Sequence, residues 1–407
     1  RKSRKLQPAM AVKTSGVSKS QNFTRHLLLG IQYVMTLIML IVSFYFIRQL
    51  DFMLNKDLGI NQENIVHAKL FKSLPIESLW VEDATERENR WKKEKARQDR
   101  ERIDYVIDEI QKCPYIQQSC SGQSLLDGGS MPWKNTRGGG DYISCRLVGL
   151  TPEYLTLYGL KLKEGRFFDL EKDKDREEKV VLNETALKMF GFTSLGEAEL
   201  ESQYWGKGWK VIGVVEDFRV DHLAVPMAPM IMVYFDDRED CPYQMQVTKG
   251  KEKEVVSLLN TLYQKTQEPG ELEYYFFEDE VRALYTKDKK MAEVTIIFTL
   301  LAIFISSIGL FGFAYFDIRQ RFREIGIRKV NGATPHEILL LLFRRFIVLI
   351  LGSFVVAVPI AWWVIEIYRE NFIECASLAW WLFAAAFLIT GGVAFFTLLW
   401  QSRKAAL

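Results

Sequence analysis

Four windows of this sequence contain no Lys, Arg, Asp or Glu: Leu27–Phe46, Val294–Phe316, Phe346–Ile365 and Leu378–Trp400. Each is long enough, as a helix, to cross about 30 Å of hydrocarbon. A charge at the centre of such a segment costs on the order of 2.5–3.5 kcal/mol on insertion, so freedom from charge in all four decides their reading. Core helices of a soluble protein would be shorter runs with polar faces. The chain is therefore expected to span a membrane four times, which excludes a simple cytosolic enzyme. With 53 basic residues against 51 acidic ones, it also lacks the charge excess that a nucleic-acid partner would require.

Orientation follows from the flanking charges. Residues 1–26 hold seven basic residues and no acidic one, and residues 317–345 hold seven basic and three acidic. The tail after Trp400 carries Arg403 and Lys404, whereas the loop 366–377 has Glu366, Glu370 and Glu374 against Arg369. The basic regions are expected to face the cytoplasm, with both termini inside. The segmentation is then a cytoplasmic lead-in (1–26), spans at 27–46, 294–316, 346–365 and 378–400, and an extracytoplasmic domain (47–293). A cytoplasmic connector (317–345), a short outer loop (366–377) and a cytoplasmic tail (401–407) complete it. The first span lacks a short apolar region with a small-residue cleavage site, so it reads as a retained anchor.

The outer segment has 36 basic and 45 acidic residues, and long domains translocate largely regardless of charge. Its periodicity is mixed. Ile65–Leu70 reads as a strand, Glu86–Lys112 as a helix with Ile103, Val106, Ile107 and Ile110 on one face, and Tyr115–Ser121 as a strand. The pattern recurs as strand Gln244–Thr248, helix Glu252–Gln267 and strand Leu272–Phe277. Two such units separated by a long insertion point to a split ferredoxin-like fold. The insertion, 122–242, is expected to open with a flexible Gly-rich loop (Gly128, Gly129, Gly138, Gly139, Gly140). Strands Ile143–Leu150, Lys179–Asn183, Trp209–Val215 and Met230–Phe235 follow. The glycines lack the terminal Gly-Lys-Ser/Thr of a phosphate loop.

Chemistry is sparse. The carboxylate pairs Glu216/Asp217 and Asp236/Asp237 have no His, Ser or metal partner at a matching spacing, so they read as solvated turn residues. The dense charges of Arg87–Arg102 read as a solvated helix face. His26, His67, His222 and His336 are scattered, and no metal site is expected. Cys113 and Cys120 are spaced to close a small disulfide loop, but free thiols serve equally well; Cys145, Cys241 and Cys375 leave the count odd. Within the spans, Gln32 and Ser43 are notable polar groups for packing. Pro359 and the pair Gly391-Gly392 read as a bend or close approach, or as ordinary membrane-helix packing.

The connector says more. Asp317–Val330 is expected to continue the second span as a helix, with Glu324 and Arg328 paired at i, i+4. Asn331-Gly332 supplies a left-handed exit. Thr334, Pro335 and Glu337 then restart a helix as N-cap, first helical residue and capping-box partner. A helix, a sharp break and a new helix at the membrane surface read either as an ordinary connector with positive-inside charges or as a rigid knuckle on which a cytoplasmic partner can push.

At this point the sequence resembles the permeases of MacB/FtsX-type ABC transporters. The stretch Arg323 to Ala333 is similar to their EIGIRK…GA element, and Phe304–Gly312 to their second span. Leu157–Leu160, Glu164–Phe168, Val180–Ala186 and Val211–Phe218 are similar to their periplasmic core. The resemblance covers nearly the whole chain. It implies a four-helix membrane protein with a large α+β extracytoplasmic domain, in which 47–293 form porter- and sabre-like subdomains and 122–242 the sabre-like insertion. Basic residues before the first span, a first residue that is not Met and the phrase Lys56–Asn61 resemble the start of a second half. The C-terminal half of a tandem permease of the Bacteroidetes-like type is therefore expected.

The resemblance also implies a mechanism, mechanotransmission, in which closure of separate ATPase subunits presses on the connectors and rearranges the external domains. The residues expected to couple to the ATPase are Arg323, Glu324, Gly326, Ile327, Arg328, Lys329, Gly332, Ala333, Thr334, Pro335, His336 and Glu337. Asn331 departs from the apolar residue of many relatives, which could change which ATPase docks. No Walker-type phosphate loop occurs in the sequence. ATP and Mg are thus expected in two copies of a partner ATPase, and no cofactor or catalysis in this chain. Other expected partners are a second permease half or homodimer copy, membrane lipids, and a periplasmic or outer-membrane protein. Two functions stay open: export of a peptide, antibiotic, lipid or lipoprotein through a bacterial inner membrane, or FtsX-like switching of an external partner such as a cell-wall hydrolase.

Overall fold

The computed structural model describes residues 19–71, 101–137, 140–169, 172–173, 178–193, 195–234, 242–266, 270–320 and 335–406. They divide into two compact units, an outer one of Asn55–Thr286 and a helical one formed by the flanking segments.

Among the described residues, the helical unit has four helices long and apolar enough to cross a membrane. They are α1 (Lys19–Leu54), α7 (Thr286–Gln320), α8 (Pro335–Arg369) and α9 (Trp380–Ala406). Both α1 and α7 outrun the charge-free windows, and residues 47–54 and 287–293 continue these helices within the helical unit. Leu37, Ile41 and Tyr45 of α1 are fully buried against Ala357, Ala361 and Ile365 of α8 and Leu382 and Ala386 of α9. In lipid, where apolar burial gives no driving force between helices, such small residues allow the close packing that holds helices together. Pro359 lies inside the continuous α8. A Cβ added at Gly391 or Gly392 would meet nothing within 4 Å, so among the described residues these glycines do not mark a close helix approach.

The outer unit contains two sheets. The first has the strands β1 (Ile65–Lys69), β2 (Ile116–Ser121), β10 (Tyr243–Val247) and β11 (Glu273–Phe276), in the order β11-β1-β10-β2. All three pairings are antiparallel. Helix α2 (101–111) joins β1 to β2, and α5 (Glu252–Thr266) joins β10 to β11. This is the ferredoxin-like arrangement, with the insertion between its second and third strands. Val66 and Ala68 of β1 and Tyr243, Met245 and Val247 of β10 pack on Val106, Ile110, Val255 and Leu259 of the two helices. The opposite face carries a row that crosses all four strands: Tyr275, His67, Gln244 and Cys120.

The insertion forms the second sheet, ordered β5-β8-β6-β9-β4-β3-β7 and closed on itself by a further β7–β8 pairing. Its strands are β3 (Gly129–Asn135), β4 (Ile143–Leu150), β5 (Leu162–Gly165), β6 (Lys179–Asn183), β7 (Glu199–Ser202), β8 (Gly206–Val215) and β9 (Met230–Tyr234). The short helices α3 (Tyr154–Leu157) and α4 (Glu184–Met189) punctuate it, and α6 (Phe277–Ala283) follows β11. One expectation is corrected here. Gly129–Asn135 is a strand paired with β4 and β7, not part of a flexible loop. Trp133 explains it: fully buried against Cys145, Leu182 and Leu200, its indole anchors the segment, while Gly129 and Pro132 dilute the alternation that announces a strand.

Cys113, Cys120, Cys145 and Cys375 are free thiols. Cys120 is buried in the core between the two sheets, whereas Cys113 packs with the ferredoxin-like helices, so the pair faces different cores. Cys241 lies outside the described residues.

Candidate functional site

Span-to-span polar contacts organise the helical unit. The Thr36 and Ser306 hydroxyls of α1 and α7 share a hydrogen bond of 2.6 Å, and Thr299 donates to the Met39 carbonyl at 3.2 Å. Gly309 gives the Gln32 amide room, since an added Cβ would sit 2.5 Å from its Oε1. Ser353 of α8 donates to the Gly30 carbonyl at 3.2 Å. At the far end of α1, buried Gln49 accepts from the Ala376 amide at 2.7 Å and Arg48 donates to Ser377 at 2.9 Å, fixing the loop before α9. A Gln49→Leu variant strands that buried amide. Its thermal unfolding in detergent should show a loss of about 1–3 kcal/mol.

Of the expected coupling residues, Arg323, Glu324, Gly326, Ile327, Arg328, Lys329, Gly332, Ala333 and Thr334 lie outside the described residues. Pro335, His336 and Glu337 form the first turn of α8 as described. The flanking helix α7 extends to Gln320.

In the outer unit, the residues that carried the resemblance meet in the second sheet. Gly165 and Gly213 face each other where β5 crosses β8: a Cβ on Gly165 would overlap the Ile212 carbonyl, and one on Gly213 the Arg166 carbonyl. Gly165 also has φ +76°, in the left-handed region. Arg166 then grips Asp173 with both guanidinium nitrogens, at 2.7 and 2.8 Å. Lys179 and the Asp169 amide add bonds of 2.8 and 2.9 Å to the same carboxylate. Those bonds, the Arg166 pair foremost, hold the Asp173 carboxyl well below the usual carboxylate range.

Asn183 caps α4 by accepting from the Ala186 amide at 3.0 Å, and its Oδ1 also takes the Met230 amide of β9 at 2.8 Å. Asp217 accepts from the Thr185 amide and hydroxyl at 3.0 and 2.7 Å, which places a carboxylate at the positive end of that helix. Asp217 is thus a structural cap. Its neighbour Glu216 is exposed, 3.9 Å from Lys161. Asp236 and Asp237 lie outside the described residues.

Sequence reasoning missed a buried polar seam where the insertion sits on the ferredoxin-like sheet. His67 Nε2 lies 2.9 Å from the Tyr158 hydroxyl, and that hydroxyl donates to Gln244 Oε1. Gln244 Nε2 donates to the carbonyls of Gly122 and Gln123 at 2.9 and 3.0 Å and to the Tyr154 hydroxyl at 2.6 Å. Tyr154 donates in turn to the Gln123 carbonyl at 2.8 Å. Ser124 donates to Glu280 Oε2 of α6 at 2.9 Å, and that oxygen lies 3.7 Å from His67 Nδ1. The available signal was a polar residue between apolar ones in two strands, Val66-His67-Ala68 and Tyr243-Gln244-Met245. Among the described residues, no group of three or more His, Cys, Asp or Glu side chains could hold a metal ion.

Two family models match the chain. Residues 80–251 match the MacB-like periplasmic core domain, and residues 296–406 the C-terminal domain of FtsX-like permeases. Both occur in the order the sequence implied, and the chain belongs to the MacB/FtsX-type ABC transporter permeases. It is a membrane protein with an extracytoplasmic domain, of a family of permease subunits that pair with ABC ATPases and with a second permease. Among solved structures, the periplasmic region of MacB from Actinobacillus actinomycetemcomitans is 15% identical, with a TM-score of 0.37, over 57% of this chain and 98% of that one. The extracellular domain of the noncanonic ABC-type transporter YknZ from Gram-positive bacteria is also 15% identical, with a TM-score of 0.34, over 52% of this chain and all of that one. No curated protein matches the chain.

Proposed function

We propose that this chain is the permease subunit of an ATP-driven exporter, coupling closure of a cytoplasmic ATPase to movement of its outer domain. The observation that carries this reading is the continuity of α1 and α7, which run unbroken from the charge-free windows to Leu54 and Thr286, the limits of the outer unit. A helix transmits displacement along its axis because its backbone hydrogen bonds fix every residue to the next turn. The Thr36–Ser306 bond ties the two helices, so a push on one loads both. Charge-free spans fit a mechanism that passes motion, and not a charged solute, through the bilayer.

In this reading the termini and the connector 317–345 face the cytoplasm of a bacterial cell, and the outer domain lies in the periplasm. Two ATPase copies dock on Arg323–Glu337 and hold ATP and Mg. A second permease half completes the unit. The substrate is a peptide, antibiotic, lipid or lipoprotein taken from the periplasm or the outer leaflet. The large outer domain favours export over switching of a cell-wall hydrolase.

Co-purification of the tagged native protein tests this, with Glu324→Ala plus Arg328→Ala as the comparison. An ATPase should co-purify with the native chain and be lost or uncoupled in the double variant. Absence of any ATPase, even after crosslinking in cells, would sink the reading. In a deletion strain, accumulation of a candidate substrate is expected; a cell-wall or division defect without it would turn the assignment to a regulator.

A further inference from the structure

The hydrogen bonds of the buried seam leave room for one more proton. Gln244 Nε2 is the donor toward the Gly122 and Gln123 carbonyls, so Oε1 is the end that meets Tyr158. Tyr158 therefore commits its only O–H to Oε1, and its oxygen must accept from His67 Nε2–H. A neutral imidazole has one N–H. His67 Nδ1 is consequently a bare lone pair, buried without a hydrogen-bond partner among the described residues, and it faces Glu280 Oε2 at 3.7 Å.

We propose that Glu280 and His67 form a proton-binding site that latches α6 to strand β1 in the outer domain. One proton taken from water binds between Glu280 Oε2 and His67 Nδ1, and no electron moves. With it, an acid O–H can close the 3.7 Å gap to the imidazole nitrogen, and a continuous chain then runs from α6 through β1 to Tyr158 and β10. Without it, a carboxylate opposes a lone pair, and α6 and β1 are held by the stacking of His67 on Phe277 without that hydrogen bond. Strand β1 follows α1 in the chain and α6 precedes α7, so the latch lies on the segments that lead to both membrane helices.

The surroundings favour this placement of the proton. Burial holds the His67 ring down to about 3, keeping it neutral. Burial also pushes the Glu280 carboxyl up to about 6, opposed by the Ser124 bond and reinforced by the charge of Asp127. The groups facing the pair are Ser124 and Asp127 after β2, Tyr275 of β11 and Tyr158 at the end of α3, with Cys120 of β2 beside Tyr158. The Glu280 side chain keeps 20% of its surface exposed, which gives the proton a route from solvent. Because its folded value lies above its ordinary one, the folded state binds the proton more tightly. The outer domain therefore gains stability as pH falls from about 6 to 4.5 and loses it as pH rises through that window.

The test uses the full chain in detergent and hydrogen exchange corrected for intrinsic rates, at roughly pH 5 and pH 7.5. In the native protein, amides of β1 and α6 should gain protection on the order of tenfold on acidification. Glu280→Gln, whose amide can donate to Nδ1 and accept from Ser124, should show the acid-level protection at both pH values. Asp127→Asn, at an exposed site, should keep the transition but move its midpoint to lower pH. The proposal is overturned if Glu280→Gln retains the native pH dependence, or if Asp127→Asn leaves the midpoint where it was. Should Glu280→Gln not fold, the Asp127→Asn midpoint decides alone.

Discussion

Gly213→Ala should cost the outer domain at least about 3 kcal/mol, the upper range for overpacking, because the added methyl would overlap a backbone carbonyl. A flexible side chain can swing away from a new atom, but the Arg166 carbonyl cannot. Its own amide is bonded to the Ile212 carbonyl at 3.0 Å, and β5 pairs with β8 from Gly213 to Val215. Relief would require separating the two strands, which also breaks the seat of Arg166. Gly129→Ala is the control: it is a strand glycine with nothing within 4 Å of an added Cβ, and it should leave stability nearly unchanged. Thermal unfolding of the full chain, with limited proteolysis reporting on Asn55–Thr286, measures both. Equal melting of the two variants would refute the steric account of Gly213.

Asp173→Asn is expected to cost roughly 3 kcal/mol, by leaving Arg166 and Lys179 facing a neutral amide. The Asp173 side chain is only 2% exposed and accepts four bonds, so water cannot replace the lost charge there. The pH dependence has a definite sign. A carboxyl held below its ordinary value stabilises the fold above that ordinary value, and the contribution disappears only as pH falls through the lowered one. The gap between native and Asp173→Asn proteins should therefore persist from about pH 7 to pH 5 and begin to shrink only once pH falls below the ordinary carboxylate value. Glu216→Gln, which removes an exposed pair at 3.9 Å, should change stability by less than about 0.5 kcal/mol. A loss from Glu216→Gln equal to that from Asp173→Asn would mean that burial does not set these energies.

The two predictions show which layer of information each residue needed. Glycines 165 and 213 and residues Arg166, Asn183, Thr185 and Asp217 stood out in the sequence as carriers of a family resemblance. Only the contacts explain them: two glycines where strands cross, a guanidinium on a buried carboxylate, and a double cap on one short helix. Asp173 gave no signal at all, since it sits in a run of alternating charges that reads as solvated. Its burial depends on the strand that begins at Lys179 and the turn that follows Arg166.

The sequence by itself determined the four spans, because the cost of placing charge in hydrocarbon is local and large enough to be read window by window. It also determined the two strand–helix–strand units, because alternation and helical periodicity are properties of short segments. The order β11-β1-β10-β2, the closure of the second sheet through β7 and β8, and the strand status of Gly129–Asn135 were decided by the tertiary structure. In the first sheet, strand pairing joins residues more than a hundred positions apart, and no local pattern encodes which edge meets which. The seam of His67, Gln244, Tyr158 and Glu280 belongs to the same category. A lone histidine in a strand has no partner until the fold supplies one, and the folded arrangement leaves it one proton short.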